Sequence, residues 1–222
     1  MKQNASPLTC PCPLCAARQT LFFFDDPKNY QHRYHHCPIC DLVFVTPDCR
    51  LDSAAEKARY DMHHNDDSPS YIAFLSRLAN PLLALLPAAA HGLDFGSGKS
   101  PAMANLFRQA GHHCDCYDPY FQANHQLLKR RYDFIIASEV IEHLYYPKQT
   151  FQQWLSMLKP KGLLAIMTGF RPDDSEFPDW WYKNDPTHVG LFSQQTFIFL
   201  QVQYHLDLVF LQKNIIIFRL PE

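Results

Sequence analysis

Glycine is scarce in this chain: there are seven in 222 residues, and three of them, Gly92, Gly96 and Gly98, fall within seven positions. Where glycine is rare, a cluster marks a place where the backbone turns tightly or approaches something closely. Long apolar runs are missing as well. None comes near the roughly 20 residues needed to span a bilayer, so no membrane partner is expected. No basic segment followed by an apolar one opens the sequence, which points to a cytoplasmic protein. An excess of one charge is also absent, since 20 Lys and Arg stand against 22 Asp and Glu for a formal net charge of −2. That balance supplies no global basic field for long nucleic acid and, a local patch aside, makes small molecules the default partners. An apolar fraction of 47% and a charged fraction of 19% exclude disorder and describe an ordinary soluble chain with one sizeable core and an appendage.

Cysteine is present and unevenly placed. Six of the eight fall in the first 49 residues, and with no secretory signal this fits metal binding in a reducing compartment better than a disulfide framework. Cys12-Pro13-Leu14-Cys15 and Cys37-Pro38-Ile39-Cys40 are two C-x-x-C knuckles with 21 residues between them. This is close to the spacing at which four thiolates complete a tetrahedral zinc shell. A closed four-cysteine shell has no open position, so the zinc expected on Cys12, Cys15, Cys37 and Cys40 is structural. Leu21 to Phe24 and Leu42 to Val45 read as short strands of this zinc ribbon, residues 1–50. Cys10 and Cys49 are left over, and His32, His35 and His36 crowd the second knuckle as outer groups or as an altered ligand set.

Residues 51–90 read as a helical connector. A charged helix is expected from Leu51 to Arg59 and a second from about Ser70, with Pro81 kinking or breaking it. Between them lies a polar run containing Tyr60, His63 and His64, either a solvated loop or a lid over a ligand.

From residue 91 strands and helices alternate: His91 to Phe95 as β, Ala102 to Ala110 as α, His113 to Tyr117 as β, Phe121 to Lys129 as α, Tyr132 to Ala137 as β, Pro147 to Leu158 as α and Leu163 to Thr168 as β. The order predicts an α/β domain, residues 91–222, with a parallel sheet covered on both faces. Ser193 N-caps a helix to Tyr204 with Phe192 and Phe197 as its staple, and two strands joined through Gln212-Lys213-Asn214 close the chain as an antiparallel hairpin. The glycine cluster falls in the turn from the first of these strands to the first helix, the geometry of a nucleotide-type cofactor loop. Pro101 stands where a dinucleotide fingerprint has its third glycine, which argues for a smaller adenosine cofactor than NAD or FAD.

Leu93-Asp94-Phe95-Gly96-Ser97-Gly98, then Tyr117-Asp118-Pro119, then the run Tyr132 to His143 with Ser138-Glu139-Val140-Ile141-Glu142-His143 at its end, then Leu158-Lys159-Pro160-Lys161-Gly162, occur in an order that resembles class I S-adenosylmethionine-dependent methyltransferases. The ribbon ahead of them resembles a bacterial subgroup with such an N-terminal module. The resemblance implies a Rossmann-like methyltransferase sheet, S-adenosyl-L-methionine as cofactor, and cofactor contacts from Asp94, Gly96, Gly98, Asp118, Pro119, Tyr120, Ser138 and Glu139. Asp118 would accept the ribose hydroxyls. Only 13 residues separate Asp118 from Tyr132, so the family's third strand is expected to be missing, leaving about six strands with the second at an edge. The adenine partner that strand normally supplies would then be replaced, with Tyr120 or Phe121 as stacking candidates, either of which is otherwise core.

Methyl transfer from a sulfonium needs alignment of a nucleophile and, where necessary, removal of its proton. Glu139, His143 and His188 are the candidates for that work, with orienting or structural roles as the alternatives for the two histidines. The segment from Thr168 to Phe192 is too long for an ordinary loop, and with Trp180, Trp181 and Tyr182 it is expected to form the substrate wall. Cys114 and Cys116 read as buried thiols. The expected activity is methyl transfer to a small-molecule acceptor whose identity, like the oligomeric state, is open. An RNA or protein acceptor recognised by the ribbon, and a binding module without turnover, are the alternatives.

Overall fold

The computed structural model describes residues 10–62 and 68–222. Residues 10–50 carry an antiparallel ribbon of β1 (Leu21–Asp26), β2 (His32–His36) and β3 (Val43–Val45). The expected strands on either side of the second knuckle are present, and β2 is additional. Its histidines read as outer groups of the second knuckle or an altered ligand set; in the fold Tyr34 is buried in this strand, which is held by backbone pairing. The knuckles themselves are tight turns, closed by Ala16 N–H to Cys12 O at 3.0 Å and Asp41 N–H to Cys37 O at 2.8 Å.

Helix α1 (Ser53–Asp61) begins where Asp52 accepts the Ala54 and Ala55 amides, and α2 (Pro69–Leu83) begins at Ser68 with Pro69 at its first position. Helix α2 does not break at Pro81. It runs two residues further to Leu83, because a proline in the last turn gives up a single backbone bond where the helix is about to end.

The central sheet is built from β4 (His91–Phe95), β5 (His113–Tyr117), β6 (Tyr132–Ser138) and β7 (Leu158–Met167), with helices α3 (Ala102–Gln109) and α4 (Pro147–Met157) in the connections. The chain then returns a two-residue strand, β8 (Gly190–Leu191), to the ribbon, forms α5 (Gln194–Gln203), and ends in β9 (Asp207–Gln212) and β10 (Ile215–Arg219). Strand order is β5-β4-β6-β7-β10-β9, parallel across the first four and antiparallel at β7, β10 and β9. This is the expected six-stranded sheet with the second strand at its edge and, among the described residues, no third strand beyond it. Arg108 covers part of that edge, donating Nε and Nη2 to Cys114 O at 3.0 and 2.5 Å.

Strands covered on both faces are apolar at consecutive positions. Phe134, Ile136, Leu163, Ala165 and Met167 face α2 and α3, whereas Ile135, Ala137, Leu164 and Ile166 pack with Phe151 and Trp154 of α4 and Phe197 and Leu200 of α5. Helix α5 carries the expected cap: Ser193 and Thr196 form a reciprocal capping box and the Phe192 and Phe197 rings stack at 5.5 Å.

One expected element is absent. Residues 121–129 do not form a helix; Gln122 bridges back to Asp118 and a single 3-10 turn covers Leu127–Lys129. The Asp118 carboxylate explains this, since Oδ1 accepts the amides of Tyr120 and Phe121 at 2.8 and 3.0 Å and bends the chain back as it leaves β5.

The ribbon is also not confined to its own fifty residues. Val43 and Phe44 pair with Leu191 and Gly190, so β8 is the fourth strand of its sheet. Phe23, Phe24 and Tyr34 pack edge-on around Phe177, and Arg171 and Ser193 both bond Asp41 beside the second knuckle.

Candidate active site

A cavity of about 540 Å³ opens at the C-terminal ends of the parallel strands. Its floor is the turn after β4. Gly96 sits at φ +79°, and a Cβ there would stand 2.5 Å from Val140 Cγ2, so both the backbone conformation and the space require glycine. Gly98 is also left-handed, at φ +64°. The turn is fastened directly to the end of β5. Gly96 N–H donates to Tyr117 O at 2.7 Å, Gly98 N–H donates to Asp118 Oδ2 at 3.0 Å, and Gln122 Nε2 reaches Ser97 Oγ and Gly98 O, both at 3.1 Å.

Asp94, on the last turn of strand before the glycines, is buried, and its Oδ2 has no hydrogen-bond partner among the described residues. Burial, with Asp118 nearby, pushes its pKa up to about 7 against a smaller opposing pull from Arg108. A buried carboxylate left unpaired is costly, and a cation entering the cavity beside it removes that cost. Asp118 is differently placed. Its Oδ1 is filled by two amides, and Oδ2 takes the Gly98 amide and has acceptor capacity left for one further donor.

Pro119, Tyr120 and Phe121 line the cavity next to Asp118. Tyr120 is anchored by its hydroxyl, which donates to Glu56 Oε2 at 2.9 Å, and Tyr60 donates to the other oxygen of Glu56 at 2.9 Å. Phe121 has Lys99 Nζ 4.9 Å from its ring centre. Glu56 and Tyr71 both line the site and were not expected in it. Glu56 and Tyr60 are one helical turn apart on a segment that reads as a charged connector; their spacing was the only available signal.

Ser138 and Glu139 line the opposite side. Glu139 adopts φ +53°, a left-handed conformation that a non-glycine residue holds only where its surroundings impose it. Burial raises its pKa. Glu142 lies behind it, fully buried, and is pushed up to about 8 by burial and then by Glu139. The Tyr182 hydroxyl stands between the two carboxyls, 2.9 Å from Glu139 Oε2 and hydrogen-bonded to Glu142 Oε1, while Thr168 donates to Glu142 Oε2 at 2.9 Å. A phenol has one proton to give. With a carboxyl on each side, one of the two acids must carry a proton of its own, which agrees with the raised values at both.

His143 and His188 complete this end, with ring centres 4.7 Å apart, and both line the cavity. His143 Nδ1 is 3.1 Å from Thr187 O and His188 Nδ1 is 2.7 Å from Tyr182 O. A carbonyl only accepts, so each Nδ1 carries a proton, and whenever the ring is neutral its lone pair is on Nε2. The backbone holds the pair together through Val189 N–H to Glu142 O at 2.8 Å. The Tyr60 ring meets His143 edge-on at 5.4 Å, placing α1 over the same end.

Of the expected wall residues, Trp180, Trp181 and Tyr182 do not line the cavity. Trp181 is 72% exposed, Trp180 packs against Phe177 on the ribbon side, and Tyr182 sits beneath the site as the hydrogen-bond hub between the two glutamates. His63 and His64 lie outside the described residues. Away from the cavity, the Sγ atoms of Cys12 and Cys40, and of Cys15 and Cys37, are 3.5 Å apart, and all four lie within 4.8 Å of one another. Cys10 and Cys49 are not part of that group among the described residues.

A family model described as a methyltransferase domain matches residues 62–203. No curated protein matches the chain in sequence. Among solved structures, a 1,6-didemethyltoxoflavin-N1-methyltransferase from Burkholderia thailandensis, with 1,6-didemethyltoxoflavin and S-adenosylhomocysteine bound, aligns over 84% of this chain and 99% of its own, with 18% identity and a TM-score of 0.53. An O-methyltransferase family protein from the same organism aligns over 75% of this chain and 63% of its own, with 13% identity and a TM-score of 0.52. A methyltransferase of calicheamicin biosynthesis, in its S-adenosylhomocysteine-bound form, aligns over 77% and 59%, with 11% identity and a TM-score of 0.50. The chain therefore spans less than two thirds of the length of the latter two, and at these identities the likeness is one of fold.

Proposed function

The chain belongs to the methyltransferase-domain family, and from that premise we propose that it is an S-adenosylmethionine-dependent enzyme that methylates a small-molecule acceptor in the cavity between Asp94 and His188. The observation that carries this reading is the buried, unpartnered Oδ2 of Asp94 beside a glycine turn that lines the same cavity. When bound, S-adenosylmethionine would supply an activated methyl group, whose carbon an acceptor lone pair attacks in line as the S–CH3 bond breaks and S-adenosylhomocysteine leaves. Asp94 takes the cationic amine of the methionine part, and Gly96 and Gly98 let its chain lie close. Asp118 receives ribose through the remaining capacity of Oδ2. Pro119, Tyr120 and Phe121 form the adenine side, and Ser138 with Glu139 closes the other. The acceptor lies at the far end, where His143 and His188 present the lone pairs that activate its nucleophilic atom and Tyr60 covers it. A cavity of this size, part of it taken by the cofactor, suits a small acceptor better than RNA or a protein side chain.

We further infer that Cys12, Cys15, Cys37 and Cys40 hold a structural Zn²⁺. The donor set supports this, as does its spacing: thiolates about 2.3 Å from a tetrahedral zinc stand roughly 3.8 Å from each other, and the paired Sγ atoms are already at 3.5 Å.

The cofactor placement is tested by calorimetric titration of S-adenosylhomocysteine into the wild-type chain and Asp118→Ala. Losing a charge-assisted hydrogen bond and the fastening of the glycine turn is expected to weaken binding by about 10- to 100-fold. Equal affinity in the two proteins would remove the placement.

A further inference from the structure

Apart from the four cysteines, one group of potential metal ligands stands out among the described residues: Glu142, His143 and His188, each offering one ligand atom, all within 4.8 Å of one another. Two independent segments make it. Glu142 and His143 come from the 3-10 turn that follows β6, and His188 comes from the segment that leads into β8. The Val189 amide on Glu142 O fixes one segment against the other.

Each of the three side chains has the partner that a metal ligand needs. Metal-binding imidazoles almost always give their second N–H to a carbonyl or carboxylate, which sets the tautomer and the ring's direction. His143 does so to Thr187 O and His188 to Tyr182 O. Ligating carboxylates are in turn hydrogen-bonded, and Glu142 is held by Thr168 at one oxygen and by Tyr182 at the other. Two imidazoles and one carboxylate form a donor set that binds a borderline divalent cation and leaves a coordination position open. At metal–ligand distances of about 2.0–2.2 Å the ligand atoms of a tetrahedral site are roughly 3.3–3.6 Å apart, so the group closes around an ion with small side-chain adjustments. The histidines line the cavity and Glu142 is buried behind them, which turns the open position toward the acceptor.

We propose that Glu142, His143 and His188 form a second metal site, for a divalent first-row cation such as Zn²⁺, Mn²⁺ or Co²⁺, whose open position receives an oxygen or nitrogen of the acceptor. The inference rests on the reading that the cavity holds cofactor and acceptor, and it specifies how the imidazole lone pairs act there: they hold a cation, and the cation orients and polarises the nucleophilic atom. It also sets this centre apart from the ribbon, where four soft thiolates make a closed shell.

The test is a titration of Co²⁺ into the full chain already carrying one zinc, followed by visible absorption and calorimetry. One further equivalent is expected, with ligand-field bands of a nitrogen- and oxygen-bound ion and no thiolate charge-transfer band. Its affinity should fall at least about tenfold in His143→Gln and in His188→Gln, each checked for wild-type affinity towards S-adenosylhomocysteine. If either variant does not fold, Glu142→Gln replaces it with the same expectation. Absence of the second equivalent from a chain that still binds S-adenosylhomocysteine overturns the metal site and leaves the methyltransferase reading standing. Undiminished Co²⁺ affinity in every variant also overturns it. Failure of the wild-type chain to bind S-adenosylhomocysteine would instead remove the reading beneath.

Discussion

Asp94 is the residue whose chemistry depends most on whether the cavity is filled. With a pKa near 7 it is largely protonated in mildly acid solution, and a cationic amine beside Oδ2 selects its ionised form. The charged groups that act on it are Asp118, which adds to the upward shift, and Arg108, which opposes it; Tyr71 stands close enough that Asp94 raises its own pKa. The sign follows directly. Ligand binding releases a proton below the pKa of the free protein, so affinity for S-adenosylhomocysteine should rise about tenfold per pH unit from roughly pH 5 to 6.5 and flatten above pH 7. Calorimetry across that range measures it. In Asp94→Asn the slope should disappear and the affinity should stay low throughout; a slope that persisted would place the titrating group elsewhere.

At the level of elements, the joint between β8 and the ribbon decides where His188 stands. Lys183 reaches across it to Asp26, both side chains nearly buried, and Tyr34 donates to Lys183 O at 3.4 Å. Removing one partner leaves the other charged and buried, so Lys183→Ala is expected to lower unfolding free energy by about 3–5 kcal/mol, read from urea midpoints. Asp26→Leu with Lys183→Met should recover most of that loss; a single variant as stable as wild type would show the pair to be dispensable. This joint was not legible in the sequence. Strand β8 is two residues long and has no periodicity to detect, and the polar run His32 to His36 reads as groups around the knuckle rather than as a strand because pairing by backbone leaves no mark on composition. The sheet was legible, since βα alternation and consecutive apolar positions report parallel strands covered on both faces. So was the glycine turn, where one residue type is required. The Tyr182–Glu142 contact was not, because it joins residues 40 positions apart that look unremarkable separately. Residues 121–129 misled for the opposite reason: their helical pattern is overridden by two hydrogen bonds to Asp118.

For the whole molecule, the ribbon shares a core with the sheet, and Leu14, Leu42 and Phe44 belong to the same apolar cluster as Ile135, Trp154 and Phe218. Among the described residues, none before Glu56 lines the cavity. Stripping the metal proposed on the four cysteines with a strong chelator should therefore lower the melting temperature and expose the ribbon and the segment around Trp180 to protease. Affinity for S-adenosylhomocysteine should meanwhile change by less than about threefold at temperatures where the sheet survives. A chelated protein with unchanged melting and protease pattern would contradict a structural role for the metal. The shared sheet has a further consequence, in time rather than in space. Val43 and its partner Leu191 are 148 positions apart, so at about 5–20 residues per second the ribosome needs roughly 7–30 s to deliver the fourth strand after the third. Through that interval the nascent ribbon has an open edge and no partner domain, and beyond its own strand pairing it has the four clustered cysteines to hold its shape around the proposed metal. With zinc on the four cysteines, as proposed, metal capture would belong to the first stage of biosynthesis, and a cell short of zinc would lose this protein while it was still being made.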